Sequence, residues 1–302
     1  MTPLKPLLYF SLFRYPLTQD EIFAFSESEN KADFLYELNE LVRDNIVYNI
    51  DDFYLCENNN ALVERRRKGN QGARQIFSKT EKVSRFISRF PFVEGVAVSG
   101  SLSKGYFDED GDIDFFIIAA PGRLWITRTF LVLYKKLFLL NSKKYFCVNY
   151  FVSADSLEIE EKNRFTATEL VTMIPMYGNG SFGEFYEQNK WAYSLLPNKS
   201  FAEGMMQLKP VKKSLFIRFI ERILNTKAGD ALDSFFLKVT YSKWKTKFSK
   251  LDQESFRVAM KSTKNVSKHH PQNFQKKVID RLNEKYQEYQ EKYNIHLPKE
   301  HA

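Results

Sequence analysis

The sequence predicts an α+β fold, and three observations carry that prediction. Two short apolar runs, Val96-Ala97-Val98 and Phe115-Phe116-Ile117-Ile118, flank a Gly100-Ser101 turn and the alternating pair Asp112-Ile113-Asp114. Residues 1–60 read as three helices and a tight hairpin, with apolar positions recurring at helical spacing. The last third is rich in lysine and again helical in period. At 302 residues and 43% hydrophobic content, the chain can bury a sizeable core. Its organisation reads as an N-terminal module over 1–60, a connecting helix over 61–90, a core over 91–200 and a helical lysine-rich region over 201–302.

Pro6 to Tyr15 is apolar throughout. Thr18 is placed to cap a helix over Gln19 to Phe25, with Glu21 three residues on completing a capping box. Lys31 to Arg43 is amphipathic and sets Phe34, Leu35, Leu38, Leu41 and Val42 on one face. Ile46 to Ile50, the turn Asp51-Asp52 and Phe53-Tyr54-Leu55 make a hairpin. Three helices followed by a two-stranded wing resemble a winged helix-turn-helix module. The helix that would read DNA exposes Lys31, Asp33, Glu37, Glu40 and Arg43, so its face is not basic. Phosphate contacts supply most non-specific affinity, and packing or protein interaction is the expected role. The connecting helix, about Asn60 to Phe90, is expected to be interrupted at Gly69 and Gly72.

Successive strand side chains point to opposite faces, so Asp112 and Asp114 project to one side of their strand. Two carboxylates one pleat apart, at the mouth of a glycine-containing turn, suit a hard cation carrying a phosphate. Ser101 is expected to cap a helix of one or two turns over Leu102 to Tyr106, placing Lys104 where it can face phosphates as a point charge. A calcium-type loop over Asp108 to Asp114 is the competing reading, but it lacks the downstream closing Glu and the flanking helices. Gly-Ser, ten residues, then Asp-x-Asp, each on its own predicted strand, resembles the signature of the DNA polymerase beta-type nucleotidyltransferase superfamily.

That resemblance implies a twisted mixed sheet backed by helices and a nucleoside triphosphate bound with Mg²⁺ or Mn²⁺. It implies transfer of a nucleoside monophosphate to an acceptor that the motif does not specify. Asp112 and Asp114 become the catalytic metal ligands, and Gly100, Ser101 and Lys104 the nucleotide-binding residues. The family pattern also uses a third carboxylate on a neighbouring strand. The next candidate strand, Tyr145 to Val152, carries Asn149 instead, which can ligate a metal but holds no charge and cannot act as a base. Asp155 or Glu158 are the nearest acids that can substitute, though both read equally as acids at the start of a helix over Glu158 to Met173. The alternative to an enzyme is a degenerate nucleotide-binding or scaffold protein that engages a protein or nucleic-acid partner.

A helix near Arg123 to Leu140 follows the second strand, and Arg123 or Arg128 can reach a phosphate from its start. A further helix is expected over Phe182 to Leu195, and three more near Ser214–Leu224, Ala228–Lys247 and Gln272–Lys292. Ser267 to Pro271 reads as a loop whose His269 and His270 can bind a nucleotide, a metal or nothing.

The formal net charge of +8, with the cluster Arg65-Arg66-Arg67-Lys68, suggests polyanionic partners without naming one. Cys56 and Cys147 lie far apart beside apolar runs and read as buried thiols of a cytoplasmic protein. Neither a signal peptide nor a membrane span is expected. The longest apolar run, Phe130 to Leu140, contains Lys135 and Lys136 and is too short to cross a bilayer.

Overall fold

Local capping sets the N-terminal elements. Helix α1 (Leu4–Ser11) is buried along most of its length. A two-residue strand β1 (Leu17–Thr18) leads into α2 (Gln19–Ala24), where Thr18 and Glu21 make the expected reciprocal capping box. Helix α3 (Lys31–Arg43) buries Phe34, Leu38 and Leu41 and is capped by the Asn30 side chain. Strands β2 (Tyr48–Ile50) and β3 (Phe53–Leu55) form the hairpin, and β1 adds to it in the antiparallel order β1-β3-β2. That third strand was not legible in the sequence, because two residues carry no period. The computed structural model describes residues 2–200, 208–270 and 272–301. The expected start of the last region at 201 and the turn residue Pro271 lie outside the described residues.

Helix α4 (Asn60–Ile87) is continuous, and the expected interruption at Gly69 and Gly72 does not occur. The glycines serve close packing instead. A Cβ on Gly69 would lie 2.0 Å from the Tyr106 ring, and one on Gly72 would lie 2.3 Å from the Phe107 carbonyl oxygen. The Phe107 N–H also donates to the Gly69 carbonyl at 3.0 Å.

The core sheet consists of β4 (Val93–Ser99), β5 (Asp114–Ala119), β6 (Cys147–Ser153), β7 (Ile174–Gly178) and β8 (Val266–Lys268), in the order β7-β4-β5-β6-β8. It is mixed: β5 and β6 run parallel and the other neighbours antiparallel. One face carries Ala97, Phe116, Ile118 and Val152 against α1, the short helices and the C-terminal helix. The other carries Val96, Val98, Phe115 and Ile117 beneath α4 and the crossover helix α6 (Leu124–Phe138). Each such fully buried large apolar side chain stabilises the fold by about 1.5–3 kcal/mol. Strand β8 corrects the reading of Ser267 to Pro271 as a loop, since Lys268 pairs with Tyr150 and Ser267 with Phe151.

Three helix expectations are also corrected. The helix expected from Glu158 begins only at Arg164, as α7 (Arg164–Thr172), because Asn163 accepts from the Thr166 N–H and fixes the start there. The helix over Phe182 to Leu195 is two, α8 (Ser181–Gln188) and α9 (Trp191–Leu195); between them the Asn189 carboxamide bonds the Leu157 and Phe185 carbonyls. The short helix after β4 is α5 (Gly100–Ser103) with Ser99, not Ser101, at its N-cap position.

The C-terminal region packs on α6. Helix α10 (Leu215–Leu224) leaves Leu215, Phe216, Phe219 and Ile223 in solvent. Helix α11 (Lys227–Lys247) offers Asp233 to the Ile126 N–H at 2.9 Å and Asp230 to Arg123 at 2.6 Å. Arg123 therefore holds a helix junction rather than an open phosphate position, and the Arg128 guanidinium lies 4.7 Å over the Trp244 ring. A short α12 (Gln253–Ala259) precedes β8, and α13 (Phe274–Tyr293) returns to α1 and α7. Among the described residues no helix is long and apolar enough to cross a membrane.

Candidate active site

The Gly-Ser turn and the aspartates meet because β4 and β5 pair with Ser99 opposite Asp114. Gly100 stands at φ +69°, and a Cβ there would lie 2.5 Å from Asp114 Oδ2. Both facts demand glycine, and the second shows that the residue also makes room for the carboxylate. Oxygens of Asp112 and Asp114 and the Cys147 sulfur all lie within 4.8 Å of one another.

Asn149 joins this group through a bulge. Asp114 pairs with Cys147 and Phe116 with Tyr150, so β6 fits one extra residue between them. The Asn149 carboxamide donates to Asp114 Oδ1 at 2.9 Å. Burial, together with the neighbouring Asp112 charge, pushes the Asp114 carboxyl up to about 7. The Cys147 thiol is raised well beyond its usual range, first by burial and then by the two aspartates. It stays a neutral thiol, which leaves carboxylate and carboxamide oxygens as the usable donors. Hard oxygen donors converging around an unfavourably placed pair of acids fit a hard divalent cation.

A carboxylate that sequence reasoning missed completes the surroundings. Glu169, on α7, accepts from the Gly100 N–H at 3.3 Å and from Lys104 Nζ at 2.7 Å. Lys104 also donates to the Gly100 carbonyl at 3.0 Å. Glu169 thus holds two of the three residues assigned to the nucleotide in the sequence reading, Gly100 and Lys104. Of the acids considered there, Glu158 pairs with Lys162, and neither it nor Asp155 lines the cavity. No local signal pointed to Glu169, which lies 69 residues from Gly100 in the chain.

The site opens into a cavity of about 500 Å³, within the range of small-molecule sites. Gly100, Ser101, Asp114 and Asn149 line one end; Tyr150, Lys268 and rings from α1, α7 and α13 line the rest. His270 also borders it and is held neutral, its imidazole pushed down to about 4 chiefly by burial. The basic cluster expected to meet a polyanion is engaged internally. Arg65 donates to the Arg14 carbonyl at 3.1 Å, Arg66 to Glu21 at 2.6 Å, Arg67 to Asp51 at 2.7 Å and Lys68 to Glu109 at 3.1 Å.

The five-stranded mixed sheet with paired aspartates opposite a glycine turn is consistent with a nucleotidyltransferase fold. Residues 80–166 match the family model described as "Nucleotidyltransferase domain", which supports the nucleotidyltransferase superfamily and nucleotidyl transfer as the general chemistry. The matched segment runs from the end of α4 to the first turn of α7 and stops before Glu169. No curated protein and no solved structure matches the chain.

Proposed function

We propose that the protein is a Mg²⁺-dependent nucleotidyltransferase that moves a nucleoside monophosphate from a nucleoside triphosphate to an acceptor. The convergence of Asp112 and Asp114 beside the Gly100 turn, at the end of a large cavity, is the observation that carries this reading. Asp112 and Asp114 would hold the cation, with the Asn149 carboxamide orienting Asp114; Mn²⁺ suits the same donors. When bound, the ion supplies Lewis-acid stabilisation of charge on the attacking and leaving oxygens. In the transfer, an acceptor oxygen bonds the α-phosphorus, the bridging P–O bond breaks, pyrophosphate leaves and the acceptor proton passes to solvent.

Gly100 and Ser101 would cradle the triphosphate through backbone N–H groups, and Lys104 would neutralise it once Glu169 gives way. The N-terminal module has the element order of a winged helix, and its role in this reading is to brace the catalytic turn. Its α3 surface carries Glu37, hydrogen-bonded to the Thr2 N–H, and Glu40, paired with Arg43, which disfavours DNA phosphates.

Asn149 favours one other reading, a nucleotide binder without turnover that engages a protein or nucleic-acid partner, because it places a neutral group where the superfamily pattern has an acid. Pyrophosphate release from each of the four nucleoside triphosphates, with Mg²⁺ or Mn²⁺ and cell extract as the acceptor source, separates the two. The transferase reading requires metal-dependent release that Asp112→Ala and Asp114→Ala each abolish with the fold intact. Release that persists in both variants refutes it, and binding without release supports the non-catalytic alternative.

A further inference from the structure

Resting on the transferase reading, the cavity beyond Asp114 has a chemistry that narrows the acceptor. Its floor is a row of side chains across three strands: Phe116 on β5, Tyr150 on β6 and Lys268 on β8, joined by the pairings Phe116–Tyr150 and Tyr150–Lys268. Its roof and mouth are aromatic. Phe274 lies 6.1 Å from Phe13 and 5.9 Å from Phe165, ring to ring, so three elements distant in sequence meet there. Such walls suit a flat or alicyclic apolar body and offer little to a multiply charged triphosphate.

Two polar groups in the wall lack what burial normally requires. Lys268 is 7% exposed, yet its ammonium has a single hydrogen-bond partner, the neutral Gln275 Oε1 at 3.0 Å, and sits 5.6 Å from the Tyr150 ring centroid. Among the described residues no carboxylate oxygen lies within salt-bridge distance of it. The acid whose charge reaches it, Glu161, pairs directly with Lys261 at 3.1 Å and keeps a second, buried oxygen without a donor. A buried cation with no carboxylate in direct contact is costly. Asn273, 9% exposed, also borders the cavity, and its Oδ1 is buried with no donor.

We propose that this cavity binds the acceptor, and that the acceptor is a small aromatic or alicyclic molecule with one anionic group. The anion pairs with Lys268, and a hydroxyl or amine donates to Asn273 Oδ1. Lys268 is in register with Phe116, so it stands two strands across and two residues along from Asp114, roughly 12 Å backbone to backbone.

The first part of the test needs neither metal nor nucleotide. Two fluorescent probes of the same ring system are titrated into the full-length protein: 8-anilinonaphthalene-1-sulfonate, which carries one anion, and uncharged N-phenyl-1-naphthylamine. The wild type should bind the sulfonate at one saturable site, at least tenfold more tightly than the uncharged dye. Lys268→Met should remove that preference while leaving the uncharged dye within threefold. Phe216→Glu/Phe219→Glu, which charges the exposed face of α10, should leave both dyes bound.

Equal affinity for the two dyes in the wild type overturns the proposal without any variant, so a Lys268→Met protein that fails to fold does not shield it. Loss of binding in the α10 variant overturns it as well, by moving the site. If Lys268→Met weakens ATP as much as the sulfonate dye, the lysine reads the triphosphate and the acceptor assignment fails. Loss of pyrophosphate release in Asp112→Ala and Asp114→Ala tests the transferase reading separately.

Discussion

Asp114→Asn turns the electrostatics of the site into a stability measurement. In the folded protein without a divalent ion, the Asp114 carboxyl is pushed up to about 7 by burial and by Asp112. In the unfolded chain it returns to the usual aspartate value near 3.9. The folded state therefore binds the extra proton between about pH 4 and 7, so stability falls as pH rises through that window and levels off above it. Three units at 1.36 kcal/mol each set a ceiling of about 4 kcal/mol, and about 2–4 kcal/mol is the expected penalty at pH 8. Asparagine keeps the Oδ1 that accepts from Asn149 and removes the charge. Metal-free Asp114→Asn should melt roughly 4–8 °C above wild type at pH 8, converging on it near pH 4. Mg²⁺ at ten times its dissociation constant should return about 1.4 kcal/mol to wild type and nothing to the variant. Superimposable pH–melting curves for the two proteins would refute the reasoning, since Asp114 would then ionise in the folded state without cost.

Glu169→Gln should tighten metal-free ATP binding by about tenfold, because a charged competitor leaves Lys104 and the Gly100 N–H; weaker binding in calorimetry would make Glu169 part of the ligand set instead. Asn149→Asp places a third acid beside the pair, and Mn²⁺ binding followed by paramagnetic resonance should tighten by roughly tenfold or more. Unchanged affinity would mean that Asn149 lies outside the metal's reach. Gly69→Ala should lower stability by about 1–3 kcal/mol, since its Cβ would enter the Tyr106 ring, despite alanine's better helix propensity. Gly183→Ala, also within a helix but with nothing within 4 Å of its Cβ, should instead gain up to about 1 kcal/mol, both read by chemical denaturation.

The parts of the fold that were legible were those with a strong period or a cap. The continuous apolar runs of β4 and β5, the capping box at Thr18 and the apolar stripe of α3 each have a local cause written in adjacent residues. What escaped reading depends on distant partners. Gly69 and Gly72 look like helix breakers until Tyr106 and Phe107 are packed against them. The strand Val266–Lys268 has no signature of its own and exists because β6 offers it an edge. The hydrogen bond from Asn149 to Asp114 depends on a bulge in β6 that is set by pairing with β5. Glu169 was missed because it reaches the Gly100 turn only through tertiary packing, from 69 residues away in the chain.

The N-terminal module and α4 are fastened to each other and to the turn after Gly100 by specific bonds. The Tyr15 hydroxyl donates to the Lys104 carbonyl, the Asn70 carboxamide to the Gly105 carbonyl, and Arg66 ties Asn70, the Pro16 carbonyl and Glu21 together. The segment that a family comparison recognises, residues 80–166, contains none of these donors. Excised alone, it would carry both aspartates and yet leave two carbonyls of its phosphate turn without their partners and one side of Tyr106 bare. The piece of this chain that the family comparison recognises is therefore smaller than the piece that keeps the turn's carbonyls partnered. A shortened form that keeps both bonds has to begin ahead of Tyr15.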